Sequence, residues 1–176
     1  MRIIFTILAA LFLALPAAAQ DGRVIVTVGG TGGGLETPPE GAQALFNTFE
    51  IDPAGATGFD DAAMADLGMV EIDSNLPGQP DTSATYSGPL ISDLLTAAGA
   101  EGKAALPMAL DGYQVTIPWD DLMEYKPILA THVDGKPMAI GQIGPSMVIF
   151  PATGDAEKDK TFGNLRVWAV FYVGTE

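Results

Sequence analysis

Residues 112–118 read GYQVTIP, and together with residues 143–151 (IGPSMVIFP) and 165–168 (LRVW) they decide how this chain folds. In the first stretch apolar residues occupy every second position, which is the pattern of a half-buried β-strand. Apolar runs in the second stretch and around the third predict two further strands, at 147–150 and 166–173. Together with a short helix and a hairpin between them, these strands predict an α+β fold.

Three short helices are predicted around this core. Residues 60–67 begin with two aspartates, which suit the first turn of a helix, and stop at Gly68. The best helical pattern begins after Ser87, which can cap it, and ends at Gly99. The third helix is predicted at 119–125, directly before the hairpin. The apolar side of the second helix is expected to belong to the core and not to a partner site.

The connecting segments are predicted from turn chemistry and polarity. Asp134-Gly135 suits the type I′ turn of a β-hairpin. The polar, Gly- and Pro-containing segment 75–87 predicts a long loop, and long loops in compact domains are often functional. The charged segment 154–160 predicts a solvated loop. Residues 44–51, rich in aromatic and apolar side chains, are expected to form a second strand after a first one at 23–28.

The N-terminus has the three parts of a secretory signal peptide. Arg2 supplies the positive charge, residues 3–15 are apolar, and small residues precede Gln20. We expect a signal peptide over 1–19, N-terminal strands and a flexible connection over 20–58, and a domain core over 59–176, with 20–176 forming a single domain. The protein is therefore predicted to be periplasmic, with no direct membrane insertion after cleavage.

Composition narrows the possible functions. The chain contains no cysteine, which excludes disulfides, thiolate metal sites and a catalytic thiol. Removal of the signal peptide takes away only Arg2, so 22 acidic residues face 7 basic ones and the net charge is 7 − 22 = −15. Such a charge repels nucleic acid and anionic membrane surfaces. We expect no nucleic-acid partner, and the acidity is explained by solubility.

Several motifs are incomplete. The run Gly29–Gly34 has Leu35 where a dinucleotide fingerprint needs its last glycine. The segment that begins at Asp155 resembles a calcium loop but has Lys160 where that loop needs glycine. His132 is the only histidine of the chain, and a strand histidine with a local hydrogen bond is the better interpretation. The sequence therefore predicts no metal site and no catalytic residue.

Five segments in a fixed order resemble the oxidoreductase molybdopterin-binding domain of the sulfite oxidase superfamily. They are GPLISDLLTAAG at 88–99, DGY to IP at 111–118, LA to DGKPM at 129–138, GP to VIFP at 144–151 and VW at 167–168. The resemblance covers about residues 59–173. It implies a sulfite-oxidase-like fold with mixed β-sheets and a few short helices.

The chain departs from that family at the residues that hold its cofactor. In the family a cysteine thiolate ligates molybdenum and basic residues hold the pterin phosphate, whereas this chain has no cysteine. Gln142 replaces a histidine of the family motif, Met147 replaces an arginine, and Val167 replaces a lysine. A thioether cannot make the bidentate contacts with which arginine holds phosphate. The resemblance therefore implies no molybdenum cofactor and leaves room for a flat, uncharged, phosphate-free heterocycle such as a free pterin.

The chain is also similar to small periplasmic proteins of this fold that bind pterins and act with a membrane-bound signalling protein, notably a cyclic-di-GMP cyclase/phosphodiesterase. This similarity implies a non-catalytic pterin-binding protein without covalent cofactor, whose partner is such a signalling protein. The expected ligand-binding residues are Tyr113, Gln142, Ser146, Met147, Asn164 and Arg166.

Two alternatives to this function are open. The chain is alternatively a molybdopterin-dependent oxidoreductase or its accessory subunit, or a scaffold whose pocket is filled by its own side chains.

Trp168 lies in an apolar run and is expected in the core.

Overall fold

A computed structural model describes residues 22–30 and 32–176 of the chain. The predicted signal peptide at 1–19 lies outside these described residues. The structure contains ten strands and five helices within them, in the order β1 Val26–Val28, α1 Gln43–Thr48, β2 Thr57–Phe59, α2 Asp61–Asp66, β3 Val70–Leu76, β4 Gln79–Gly88, α3 Ile91–Ala97, β5 Ala105–Ala109, α4 Trp119–Tyr125, β6 Ile128–Ala130, β7 His132–Val133, β8 Lys136–Pro137, β9 Met147–Ile149, α5 Ala156–Asn164 and β10 Val170–Thr175. Within the described ranges, no helix is both long enough and apolar enough to cross a membrane.

The strands form three sheets. The first has the order β2-β1-β10-β5, and its central pair, β1 and β10, is parallel. The second has the order β3-β4-β7-β8, and the third consists of β6 and β9. This mixed α+β arrangement, with several sheets and few short helices, is consistent with the predicted sulfite-oxidase-like fold.

Two apolar clusters hold these sheets together. The larger one joins the first sheet to α3 and α4 and contains fully buried residues such as Val26, Leu94 and Leu122. The smaller one lies between the second and third sheets and is built around Tyr86 and Met147. Burial of apolar surface at about 25 cal/mol per Å² is the main stabilising term in such clusters.

The local predictions with the strongest chemical signals are confirmed. Helices α2 and α4 lie where they are predicted. The hairpin turn places Asp134 at φ 48° and Gly135 at φ 71°, and two positive φ angles are what a type I′ turn requires. Helix α3 is also confirmed, but Ser87 does not cap it: Gly88-Pro89 keeps the chain extended, and Leu90 is the N-cap residue without a side-chain bond.

Two predictions for aromatic and charged segments are wrong. Residues 44–48 of the predicted strand 44–51 belong to helix α1, where Phe46 and the C-cap residue Phe49 lie three apart and both pack against Phe171. Of residues 154–160, which are predicted as a loop, 156–160 form the first part of helix α5. Asp155 caps this helix, and Phe162 anchors it in the larger cluster.

The predicted long loop at 75–87 is also wrong, since most of it is strand β4. The chain turns at Pro77-Gly78 and pairs back along β3. Ala84, Tyr86 and Gly88 are buried at every second position, and this period of two was masked by the polar residues between them. The segment therefore forms a hairpin instead of a flexible loop.

The predicted strand at 113–117 forms only in part. Gln114 and Ile117 make isolated bridges to Met108 and Ala105, and the regular strand of this pair is β5, which was not predicted. Its sequence, ALPMA, contains a proline and has few β-branched residues, so local propensity gives little signal there.

The cap of α5 gives a first testable prediction. The Asp155 carboxylate accepts hydrogen bonds from the backbone N–H groups of Glu157 at 3.0 Å and Lys158 at 3.2 Å. Asp155→Ala is expected to lower the free energy of unfolding by about 1 kcal/mol, whereas Asp155→Asn, an equally good cap, should change it little. Urea denaturation of the two variants measures the difference, and equal losses in both would contradict the capping role.

Candidate functional site

The segment 165–169, between α5 and β10, organises the candidate site. Its backbone is held from both sides: the N–H of Ala169 donates to the carbonyl of Ile143 at 2.8 Å, and the carbonyl of Ala169 accepts from Leu110 at 3.0 Å. Ala169 has φ 52°, a left-handed conformation that turns the chain sharply. The turn places the indole of Trp168 at the surface, where it is 45% exposed.

The exposed Trp168 corrects the expectation that this residue lies in the core. Strand β10 begins only at Val170, so the periodicity of a continuous strand from 166 to 173 does not apply. Trp168 could have been identified from the family resemblance. It matches the tryptophan of a Lys-Trp pair in the family, and Val167 replaces the lysine of that pair.

Arg166 lies between two small depressions of about 300 and 280 Å³. Both are lined by Asn75, Gly163 and Arg166, and we call them together the Arg166 cleft. The larger depression adds Asp73, Ser74, Phe150, Pro151, Ala152, Asp159 and Phe162. The smaller one adds the turn from Leu76 to Gln79 and Trp168.

The guanidinium of Arg166 is only partly satisfied. Its Nη2 donates to the carbonyl oxygen of Asn75 at 3.0 Å, while its Nε is buried without a hydrogen-bond partner among the described residues. Across residues 22–30 and 32–176 no carboxylate forms an ion pair with it. A half-buried cation without an anionic partner is costly, and burial lowers the pKa of Arg166 from its ordinary value. The side chain nonetheless stays cationic at neutral pH.

A register shift in the β3–β4 hairpin explains why the Asn75 carbonyl is available to Arg166. The pairing shifts between Asn75 and Leu76, so the regular ladder is interrupted there. The hydroxyl of Tyr86 also donates to this carbonyl, at 3.4 Å. Arg166, Tyr86 and Asn75 thus form one polar contact between the hairpin and the end of α5.

Burial raises the pKa of the Tyr86 hydroxyl, and the charge of Arg166 opposes this shift. Burial also raises the pKa of Tyr172. Above the ordinary tyrosine pKa of about 10, the unfolded chain releases these protons before the folded chain does. Stability contributed by the two tyrosines should therefore be lost as pH rises above that value.

This pH dependence can be checked by urea denaturation near pH 9 and near pH 11. The free energy of unfolding of the unmodified protein should fall between the two, and the fall should be smaller in Tyr86→Phe, which has no proton to release at that position. An equal fall in both proteins would contradict the assignment.

The six predicted site residues are divided between the cleft, its surroundings and the interior. Arg166 lines the cleft. Tyr113 is 51% exposed, and its hydroxyl donates to the carbonyl of Asn164 at 3.2 Å. Asn164 follows the cleft residue Gly163 in α5. Gln142 is exposed on a turn. The carbonyl of the next residue, Ile143, accepts a hydrogen bond from the N–H of Ala169, which directly follows Trp168.

Ser146 and Met147 lie in the interior and do not line the Arg166 cleft. The Ser146 hydroxyl donates to the carbonyl of Val170 at 2.8 Å, and its own carbonyl accepts from the Val170 N–H at 2.8 Å. Met147 is fully buried in the smaller cluster. The six residues therefore do not line one pocket together: Ser146 bonds to the first residue of β10 from inside, and Met147 packs in the smaller cluster.

His132 has an ordinary structural role. The Nδ1 of His132 lies 2.9 Å from the hydroxyl of Thr131, which confirms a strand histidine with a local hydrogen bond. Among the described residues there is no group of three or more His, Asp or Glu side chains arranged to hold a metal ion.

Comparison with known proteins shows a similarity in fold and identifies no family for this chain. No protein-family model matches the chain, and no curated protein matches it. Among solved structures it is similar to the sulfane dehydrogenase SoxCD from Paracoccus pantotrophus, with a TM-score of 0.51 and 13% sequence identity over 86% of this chain. The chain spans 38% of the length of that protein. The similarity supports a distant relationship in fold, consistent with the sulfite-oxidase-like architecture.

Proposed function

We propose that this chain is a non-catalytic binding protein for a flat, phosphate-free heterocycle of the pterin class, which it holds at the Arg166 cleft. The observation that carries the proposal is the guanidinium of Arg166, half-buried without an ion pair and with an unpartnered Nε, beside the exposed indole of Trp168. A planar cation next to an aromatic surface suits a planar ligand with acceptor atoms on its edge.

The surroundings of the cleft supply the remaining recognition chemistry. Depressions of about 300 and 280 Å³ are at the lower end of ligand-site volumes, which favours a small bicyclic ring over a larger cofactor. Trp168 offers a face for stacking, and Arg166 offers donors to a carbonyl oxygen or ring nitrogen. The side-chain amides of Asn164 and Gln142 are exposed beside this segment and provide both donors and acceptors for a ligand substituent.

The residues at the cleft do not fit the molybdenum cofactor that enzymes of the sulfite oxidase superfamily hold. The chain has no cysteine to ligate the metal. Arg166 is the one cation that lines the cleft, and Asp73 and Asp159 line the same depression. Two carboxylates against one guanidinium disfavour a phosphate dianion, whereas a neutral ring avoids this repulsion.

The proposed cellular role rests on the predicted signal peptide and on the resemblance to small periplasmic pterin-binding proteins. After cleavage of the predicted signal peptide the protein would act in the periplasm and pass ligand status to a membrane-bound signalling partner, such as a cyclic-di-GMP cyclase/phosphodiesterase. The support for this part is the resemblance and the N-terminal sequence. Co-purification of the tagged protein with membrane proteins, with and without added pterin, tests it, and recovery that does not depend on pterin would contradict it.

The alternative function is a molybdopterin-dependent oxidoreductase or its accessory subunit. The fold likeness to SoxCD, whose name describes a dehydrogenase, favours it. Metal analysis of protein purified from its native periplasm separates the two functions. Stoichiometric molybdenum would support the alternative and contradict the proposed binding of a metal-free ring.

Isothermal titration calorimetry with neopterin and with a phosphate ester of neopterin tests the ligand class. We expect one site for neopterin and weaker binding of the ester, because the carboxylates of Asp73 and Asp159 repel the phosphate. A Trp168→Ala variant should lose most of the affinity, since base-like rings gain about 1–3 kcal/mol from each aromatic stacking partner. Tighter binding of the ester, or no heat with either compound, would contradict the proposal.

A further inference from the structure

A second and larger cavity of about 700 Å³ lies apart from the Arg166 cleft and shares no lining residue with it. It is bordered by the start of β1, residues 39–45 before and at the start of α1, helix α2 and the segment 137–145. Its volume is well inside the range of small-molecule sites. The cavity is therefore large enough for a ligand of its own.

Most of the wall is apolar. The aliphatic, thioether and aromatic side chains that form it come from five parts of the chain and include Val24, Ile25, Leu45, Leu110, Met138 and Phe171. A wall of this kind binds the hydrocarbon part of a ligand, because the transfer of apolar surface out of water is favourable.

Thr27 places a hydroxyl in this wall. Its neighbours Val26 and Val28 point into the larger core, so the alternation of the strand turns Thr27 to the opposite face, which borders the cavity. Thr27 is only 2% exposed as a residue, but its hydroxyl is not among the buried, unpartnered side-chain atoms of residues 22–30 and 32–176. A hydroxyl in this position can donate to or accept from a polar group of a ligand in the cavity.

Asp60 supplies a buried negative charge at the same cavity. It is 3% exposed, and its carboxylate accepts hydrogen bonds from the N–H groups of Ala63 at 2.8 Å and Gly22 at 3.2 Å. In the part of the chain that the structure describes, no cation pairs with it. A buried carboxylate without a counter-ion favours a cationic ligand group.

Most charged residues of the lining are acidic, as Asp60 is. Glu40, Asp60, Asp61 and Asp66 line the cavity against one cation, Arg23, which is exposed. A concave site with this imbalance concentrates cations and repels anions.

We propose that this cavity binds an apolar molecule carrying a protonated amine, with the ammonium facing Asp60 and the hydrocarbon against the apolar wall. The site is independent of the Arg166 cleft and of the pterin ligand proposed for it. The ligand class follows from the apolar wall together with the unpaired Asp60 carboxylate and the Thr27 hydroxyl.

Three probes with one hydrocarbon frame test the ligand class. They are 1-adamantylamine, 1-adamantanol and adamantane-1-carboxylate, whose globular frame is unsuited to stacking on Trp168. By calorimetry on the purified protein we expect the amine to bind at least tenfold more tightly than the alcohol and the carboxylate to bind most weakly. Carboxylate binding as tight as that of the amine would overturn the proposal.

Two pairs of variants test the place of binding. Asp60→Asn keeps a good helix cap but removes the charge, and it should weaken the amine at least tenfold while leaving the alcohol within about twofold. Asp120→Asn, in the first turn of α4 and outside the cavity, should change neither. Ala62→Trp in α2 should block every probe, whereas Ala65→Trp, equally exposed on that helix but outside this cavity, should not. Unchanged amine binding in both Asp60→Asn and Ala62→Trp would overturn the proposal.

Discussion

Arg166→Gln is expected to lower the affinity for neopterin at least tenfold while costing only about 1 kcal/mol of folding stability. Hydrogen bonds to charged groups contribute about 1.5–3 kcal/mol, and 1.4 kcal/mol corresponds to a factor of ten in affinity. The loss in stability is small because the polar contacts of the guanidinium are few, to the Asn75 carbonyl and the Tyr86 hydroxyl, and its buried Nε has no partner among the described residues. Calorimetry and urea denaturation of the same preparation measure both quantities.

Lys160→Gln is the matched control for this prediction. Lys160 is exposed on α5, the same helix that ends beside Arg166, and it lines neither depression. Lys160→Gln changes the net charge by the same amount as Arg166→Gln. Because Lys160 lies outside the cleft, its substitution should leave the affinity for neopterin nearly unchanged. Equal losses in the two variants would mean that long-range charge, and not the cleft, controls binding.

Gly88→Ala is expected to prevent stable folding or to lower the free energy of unfolding by about 3 kcal/mol or more. Gly88 ends β4, and a Cβ atom there would collide with the backbone carbonyl of Leu129 and lie 2.7 Å from the Cα of Ala130. Backbone atoms of the buried strand β6 cannot move aside as a flexible side chain can. Circular dichroism and urea denaturation check the result.

Gly163→Ala should have the opposite sign. Gly163 lies near the end of α5, and a Cβ atom there would meet nothing within 4 Å. Alanine in a helix is about 0.5–1 kcal/mol better than glycine, so this variant should be slightly more stable. A Gly88→Ala protein as stable as the unmodified one would show that β4 and β6 do not approach as closely as described.

Much of the fold could be predicted from local chemistry. The Asp134-Gly135 turn and the caps and stops of α2 and α4 depend on residues close in sequence, so their signals are visible without tertiary context. Strand β4 and helix α1 could not be identified in this way. Their apolar residues face partners far along the chain, as Phe46 faces Phe171, and only those contacts decide between helix and strand.

The candidate site could be predicted only in part, because its geometry also depends on contacts between residues far apart in the sequence. Arg166 is recognisable because basic residues are rare in this chain, and a hydrogen bond joins the Tyr113 hydroxyl to Asn164, the last residue of α5. Ser146 and Met147 were matched to a motif whose side chains hold a cofactor, but here they are buried. Trp168 was missed because the left-handed residue Ala169, which turns the indole outward, has no local sequence signature.

The tryptophan fluorescence of a Trp119→Phe variant tests the central claim most directly. The chain has two tryptophans, so this substitution leaves Trp168 as the only indole reporter. If a pterin stacks at the Arg166 cleft, titration with neopterin should quench that emission along a saturable one-site curve, with a midpoint at least tenfold higher when Arg166→Gln is added. Unchanged Trp168 emission at concentrations where calorimetry detects bound neopterin would contradict the account.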